Sequence, residues 1–456
     1  MTDYTEFLAS KAVTVRPTGR EINDSDIHPS LFGFQRDMVR WAVRKGRAAL
    51  FEDTGLGKTR QQIEWARLTG ERALILAPLA VARQTVAEGA QIGVPITYAR
   101  RREDAAPTGI TVTNYEMLHA FDPSAFGAVV LDESSILKNF EGKVRTGLIR
   151  AFADTPYRLA CTATPAPNDI AELANHAEFL GIMKREEMLA AFFVHDDQGW
   201  RLKGHAREPF YRWLASWGMS LKRPSDLGYA DDGYTLPPLE ITACLVPTTF
   251  TRPGELFATT LKGVGDRAAV RKETLTERVK AAADLIAAEP DEPWIAWVGL
   301  NDEGRALAEL VPGAVLVEGQ DSPEHKADAI GAFVRGDSQV IVSKTSIFGF
   351  GLNLQRCARM VFVGLSDSYE AYYQAIRRCW RFGQTRPVHA YIVLTEPEEA
   401  IYANVLRKQR EAEATAAELV KHVAAFERAE IAAVGRREDA PHGQPMRLPA
   451  WLQGAA

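Results

Sequence analysis

Short apolar runs, each bounded by polar turn residues, recur along the chain and alternate with longer stretches of helical periodicity. "AALF" (48–51), "ALILA" (73–77), "ITVT" (110–113), "AVVL" (128–131) and "RLAC" (158–161) form one series. "WIAWV" (294–298), "AVLV" (314–317), "QVIVS" (339–343), "MVFV" (360–363) and "HAYIVL" (389–394) form a second. Continuous apolar runs of this length fit strands covered on both faces, and their alternation with helices predicts parallel sheets of the α/β class. Between the two series lies an irregular stretch ending in "KRPSDLGYADDGYTLPPLE" (222–240), whose Pro237-Pro238 favours an extended connector. After Pro397 a long helical pattern follows, expected to cover the second lobe. The resulting plan is an N-terminal extension (1–30), a first lobe (31–220), a connector (221–250), a second lobe (251–435) and a disordered tail (436–456).

Composition narrows the partners without choosing one. The chain has 456 residues, 46% hydrophobic and 25% charged, enough for two or three cores. Its net charge of −5 does not advertise nucleic acid, so any basic surface must be local. Cys161, Cys244, Cys357 and Cys379 are scattered without a Cys-x-x-Cys pair, which predicts neither disulfides nor zinc and suits a cytoplasmic protein. No apolar run reaches membrane-spanning length, and the N-terminus does not read as a signal peptide.

"FEDTGLGKT" (51–59) joins the first strand to a helix and approaches a phosphate-binding loop, with Glu52 where the strict pattern has glycine. Outward backbone N–H groups at a helix N-terminus can hold phosphate, Gly55 and Gly57 permit close approach, Lys58 can reach the β- and γ-phosphates, and Thr59 can ligate Mg²⁺. The alternative is a surface turn with a solvated lysine. "VVLDESS" (129–135) ends a buried run in two carboxylates, costly to place there without a task. In a nucleotide site Asp132 would hold Mg²⁺ and Glu133 would orient the attacking water; otherwise they form an exposed acidic turn. "QAIRRCWRFGQ" (374–384) sets Arg378 and Arg381 three residues apart, on one face if helical. Offered from the second lobe to a phosphate on the first, they would act as arginine fingers and make catalysis depend on cleft closure; singly, each reads as a solvated charge.

These motifs, in this order, resemble the superfamily-two helicases, specifically the Swi/Snf-type DNA translocases in a minimal bacterial or phage-like form. "FGFQRDMVRWAV" (32–43) is similar to the adenine-recognition motif, which implies base reading by Gln35. "LFEDTGLGKT" (50–59) resembles that family's phosphate loop, including the acid at Glu52, and implies nucleotide contacts from Thr54, Gly55, Leu56, Gly57, Lys58 and Thr59. "LDESSILKN" (131–139) resembles the Asp-Glu-Ala-His motif with its Leu-Lys-Asn extension, Ser135 standing for the usual histidine. "CTATP" (161–165) resembles the motif coupling hydrolysis to lobe movement, and "LKR" (221–223) with "LPPLE" (236–240) the linker. "VSKTSIFGFGLNL" (342–354) and "QAIRRCWRFGQTRPV" (374–388) resemble the last two motifs, with Ile347 and Phe348 in place of small residues.

The resemblance implies two tandem RecA-like parallel-sheet lobes with an ATP site between them, ATP and Mg²⁺ as cofactors, and double-stranded DNA as partner. "LILAPLAV" (74–81) and "VTNYEML" (112–118) imply DNA contacts from Pro78, Asn114 and Tyr115, and the second lobe adds Thr345, Gly351 and Asn353, mostly to phosphates. "ARRRE" (99–103) and "WRLKGHAR" (200–207) read as solvated charge, and "HDD" (195–197) as a polar loop. The expected activity is a DNA-dependent ATPase that moves along duplex DNA. Alternatives are a strand-separating helicase, for which Trp200, Trp213 and Trp217 are the only wedge candidates, an ATP-gated DNA-binding switch, and a small-molecule kinase, against which the second lobe speaks.

Overall fold

The computed structural model describes residues 15–138, 142–166, 169–196, 199–247, 271–348, 354–366 and 368–435. Among these, β1 (Arg47–Glu52), β2 (Ala73–Ala77), β3 (Ile96–Tyr98), β4 (Ile110–Asn114), β5 (Ala128–Asp132), β6 (Tyr157–Cys161) and β9 (Gly218–Leu221) form a parallel sheet in the order β3-β4-β2-β5-β6-β1-β9. Every residue of β2, β4 and β5 is buried, as strands sandwiched between helices require. The phosphate loop leaves the end of β1 and the carboxylates the end of β5, with only β6 between them. Ligands bind at such carboxyl ends in open α/β sheets.

β7 (Phe193–Asp196) and β8 (Gly199–Leu202) make a separate antiparallel hairpin, so the His195-Asp196 pair lies in a strand and not in a loop. His195 sits edge-on to Trp200 at 4.8 Å, and Asp197 lies outside the described residues.

The second sheet has the order β10-β15-β14-β11-β13-β12, built from β10 (Leu239–Val246), β11 (Trp294–Val298), β12 (Ala314–Val317), β13 (Val340–Lys344), β14 (Arg359–Val363) and β15 (Val388–Thr395). It too is parallel. β10 falls inside the expected connector yet pairs with β15 over its whole length. Only about half of its residues are partly covered, which is the pattern of an edge strand.

The C-terminal helix, Glu399–Gly435, departs from expectation more. Its start belongs to the second lobe, where Ile401 and Val405 enter the core. Its later half crosses to the first lobe. Leu419 and Val423 join the core beside Trp213, His422 stacks on Tyr211 at 4.7 Å, and Lys45 pairs with Glu430 at 2.7 Å. The apolar spacing was legible, but a helical stripe does not say which lobe it covers.

Candidate active site between the lobes

The phosphate loop is built around two glycines in left-handed backbone. Gly55 has φ +92° and Gly57 φ +86°, and the helix Lys58–Thr69 starts immediately after Gly57. Both positions are crowded as well as left-handed. A Cβ on Gly57 would lie 2.3 Å from Gln35 Nε2, and one on Gly55 would lie 2.9 Å from the backbone nitrogen of Phe382 in the other lobe. Lys58 Nζ donates to the carbonyls of Glu52 and Asp53 at 2.7 and 2.9 Å, which holds it along the loop. Glu52 is fully buried, its Oε2 accepting from Gln61 at 2.9 Å. Burial pushes its carboxyl up to about 7, against the Lys58 charge and the Gln61 hydrogen bond.

A cleft of about 610 Å³ collects nearly all the catalytic and nucleotide-binding candidates. Gln35, Thr54, Gly55, Gly57, Lys58, Thr59, Asp132 and Glu133 line it from the first lobe, and Arg378 and Arg381 from the second. Leu56 does not line it: its side chain is buried in the core and its carbonyl accepts from Gln35 at 2.7 Å. Gln35 Oε1 accepts from the Phe32 N–H at 2.9 Å, so the amide is fixed at both ends with capacity for further bonds.

Asp132 accepts from Gln62 at 2.8 Å, and burial, aided by the neighbouring Glu133, raises its carboxyl to about 6 despite that bond. Glu133 has φ 61°, the single described non-glycine residue with positive φ. Its Oε1 accepts from Thr162 at 2.7 Å and from Ser135 at 3.1 Å. Ser135 therefore contacts the carboxylate two residues before it, and Thr162, from "CTATP", reaches the same oxygen from the end of β6. Sequence reasoning placed neither hydroxyl on Glu133. It also missed His176, whose buried ring lies 3.1 Å from Ser134 Oγ and is held neutral by burial, down to about 4.

Arg378 and Arg381 lie in turns just past the helix Tyr369–Ile376, not on a continued helical face. The turn still aims both into the cleft. Arg378 donates to the carbonyl and side-chain oxygens of Gln374 at 3.0 and 2.9 Å. Burial, then the charge of Arg381, lowers it to about 10. A buried guanidinium whose charge is disfavoured by a half-buried neighbour makes a site suited to a polyanion. The donor set also fits a hard cation, with the Thr59 hydroxyl and the Asp132 carboxylate on one cleft.

The candidates for nucleic acid are less assembled. Pro78 precedes the helix Leu79–Gln91 and borders the cleft. Asn114 is buried, and the Tyr115 hydroxyl turns inward to donate to the Asp132 carbonyl at 2.7 Å. The ends of β4 and β5 lie at the same sheet edge, which brings this tyrosine over the carboxylate strand. Thr345 opens the short helix Thr345–Phe348, and Gly351 and Asn353 lie outside the described residues. In the basic stretches, Arg207 pairs with Glu418 and Lys203 Nζ donates to the Ala190 carbonyl at 2.6 Å. Arg100, Arg101 and Arg102 are exposed.

The family described as helicase conserved C-terminal domain matches residues 305–383, a span that includes both cleft arginines. The Drosophila melanogaster protein named SWI/SNF-related matrix-associated actin-dependent regulator of chromatin subfamily A-like protein 1 is 23% identical over 423 residues, 84% of this chain and 55% of its own length. Its Xenopus tropicalis namesake is 30% identical over 169 residues, 33% of this chain and 17% of its own length. The chain thus spans about half or less of the curated relatives it matches. Among solved structures, the Sulfolobus solfataricus SWI2/SNF2 ATPase core in complex with dsDNA aligns over 90% of this chain and 96% of its own, with 17% identity and a TM-score of 0.43.

Proposed function

We propose that the chain, similar to helicase-like nucleotide hydrolases of the superfamily-two, Swi/Snf type, hydrolyses ATP in the interlobe cleft and uses the cycle to move along double-stranded DNA. The observation that carries the proposal is the convergence of Lys58, Asp132 and Glu133 from one lobe with Arg378 and Arg381 from the other around a single cavity. In this reading the loop N–H groups and Lys58 hold the phosphates, Glu133 orients the attacking water, and the two arginines face the charge that develops in transfer. Thr59 and Asp132 would hold Mg²⁺, which supplies charge neutralisation on the phosphates. Thr162 and Ser135 keep the Glu133 carboxylate in place for its task.

Duplex DNA is favoured as the partner because the Leu-Lys-Asn extension (137–139) and the Arg-Phe-Gly-Gln ending (381–384) resemble those of the duplex-tracking branch, and the relatives' names associate them with chromatin. Strand separation would need an inserted side chain, and two of the three aromatic candidates are unsuited to it: Trp213 and Trp217 are buried in the first core. ATPase rates without nucleic acid and with single strands, duplex DNA or RNA test the activity, and the largest stimulation is expected from duplex. A triplex-displacement assay beside a forked-duplex assay tests the movement. The proposal requires ATP-dependent loss of the third strand with the fork intact; fork opening without triplex displacement would replace it with the strand-separating helicase. Affinity for duplex should fall steeply with salt, since phosphate contacts dominate.

A further inference from the structure

The helix that carries the cleft arginines has a second set of contacts with the phosphate loop. Glu370, Tyr373 and Arg377 recur at i, i+3 and i+7 on Tyr369–Ile376 and its first C-terminal residue, which is one stripe of a helix. All three meet the first lobe. Glu370 pairs with Lys138, just beyond the carboxylate turn. The Tyr373 hydroxyl donates to Asp53 Oδ1 at 2.6 Å, and the Arg377 guanidinium pairs with the other oxygen of the same carboxylate.

Asp53 is itself tied into the loop. Its Oδ1 accepts from the Thr54 N–H at 2.7 Å, and its own N–H donates to the Leu221 carbonyl at 2.9 Å. Burial alone would push its carboxyl up, but the Arg377 charge and the bonds from Arg377, Tyr373 and Thr54 outweigh burial and hold it below the usual range. Arg377 is almost wholly buried and lies 4.8 Å from the Trp380 ring, so its position is fixed from both sides. On the other flank of the turn, Phe382 abuts Gly55 so closely that a Cβ there would clash with its backbone. Arg378 and Arg381 therefore hang between two contacts that the phosphate loop makes with the second lobe.

We infer that Asp53, Tyr373 and Arg377 form an interlobe clasp that positions Arg378 and Arg381 over the phosphate loop. Cleft closure and placement of the finger arginines are then a single event, because the carboxylate that draws the lobes together sits two residues before Gly55. Asp53 and Arg377 are positioning residues in this scheme and need not touch the nucleotide. The inference rests on the ATPase proposal for its kinetic consequence, though not for its structural one.

The test compares Asp53→Asn, Arg377→Ala and their double variant in the full chain, with Tyr373→Phe as a milder variant. Steady-state ATPase kinetics are read beside spin-label distances between cysteines introduced at the exposed positions Glu103 and Glu309. Each single variant is expected to lose about 10²-fold in kcat, the scale of a misplaced catalytic group, with little change in KM for ATP. The double variant should be no worse than the weaker single, and the interlobe distance distribution should broaden in both. Arg377→Lys, which keeps the charge, should recover part of the loss. Wild-type kcat in Asp53→Asn beside an inactive Arg377→Ala would overturn the clasp and make Arg377 a direct phosphate contact. An unchanged distance distribution in Asp53→Asn would also overturn it. The distance measurement needs no hydrolysis, so an inactive wild-type protein would refute the ATPase proposal while still deciding whether the clasp exists.

Discussion

Glu133 is the residue on which strain and chemistry meet. A non-glycine side chain in left-handed backbone costs on the order of 1–2 kcal/mol, and two hydroxyls, Thr162 and Ser135, hold this one there. Glu133→Gln should keep ATP binding and lose about 10²-fold or more in turnover, measured as nucleotide affinity against steady-state rate. Wild-type hydrolysis by that variant would remove Glu133 from the mechanism. Glu52 yields a prediction in pH. Its carboxyl ionises near 4.5 when unfolded and near 7 when folded, so its contribution to stability is fully present below 4.5 and is lost as pH rises through 7. Glu52→Gln should match the wild type in denaturant unfolding near pH 4 and exceed it by on the order of 3 kcal/mol near pH 8. Equal stability at both values would contradict the buried, raised carboxyl. The sequence could flag Lys58, Asp132 and Glu133 because their chemistry lies in short local patterns. It could not show Thr162 on Glu133 or His176 behind Ser134, since those partners stand 29 and 42 positions apart and meet only in the folded lobe.

Elements were legible in proportion to how completely they are buried. β2 and β11 are apolar along their whole length, and β5 up to its terminal Asp132, because helices cover both faces, so each reads as an uninterrupted run. β9, "GMSL", is equally buried but mixes glycine and serine into four residues, too short to show a pattern. β10 sits at an edge with partly exposed side chains and follows two prolines, and it therefore resembles a connector. The C-terminal helix shows the limit most clearly, because its destination is set by a partner surface 200 residues upstream. Leu419 is buried among first-lobe residues although its helix begins on the second. Leu419→Ala should therefore destabilise the first lobe by about 2–5 kcal/mol, read as an earlier unfolding transition of that lobe by hydrogen exchange. Loss of protection confined to the second lobe would show that the crossing contact does not form.

At the scale of the whole molecule, the site is divided between two bodies and neither holds a complete set of groups. Arg381→Ala should lower turnover by about 10³-fold, in the range of arginine-finger losses, while affinity for duplex DNA changes little. Filter-binding and ATPase assays on the same preparation check this, and a parallel loss of both would place Arg381 in DNA binding instead. The order of motifs announced two lobes and a cleft, because the phosphate loop and the carboxylates follow the ends of β1 and β5, and strand ends share one edge of the sheet. How the lobes hold each other was not announced: Asp53 and Lys138 lie inside the phosphate-loop and carboxylate motifs without an assigned role, and Tyr373 immediately precedes "QAIRRCWRFGQ".

The crossing helix also sets what kind of motion the lobes can make. The linker between β9 and β10 is one, covalent, connection, and the helix Glu399–Gly435, about 55 Å long at 1.5 Å per residue, adds a second attachment by packing its later half on the first lobe. A body joined to another at one point can swivel in any direction, like a ball in a socket. Joined at two separated points, it turns about the line between them, like a door on its pins. With two such attachments, opening and closing of the cleft should follow a nearly fixed arc, so that the proposed hydrolysis cycle would drive rotation about that axis rather than tumbling of one lobe against the other.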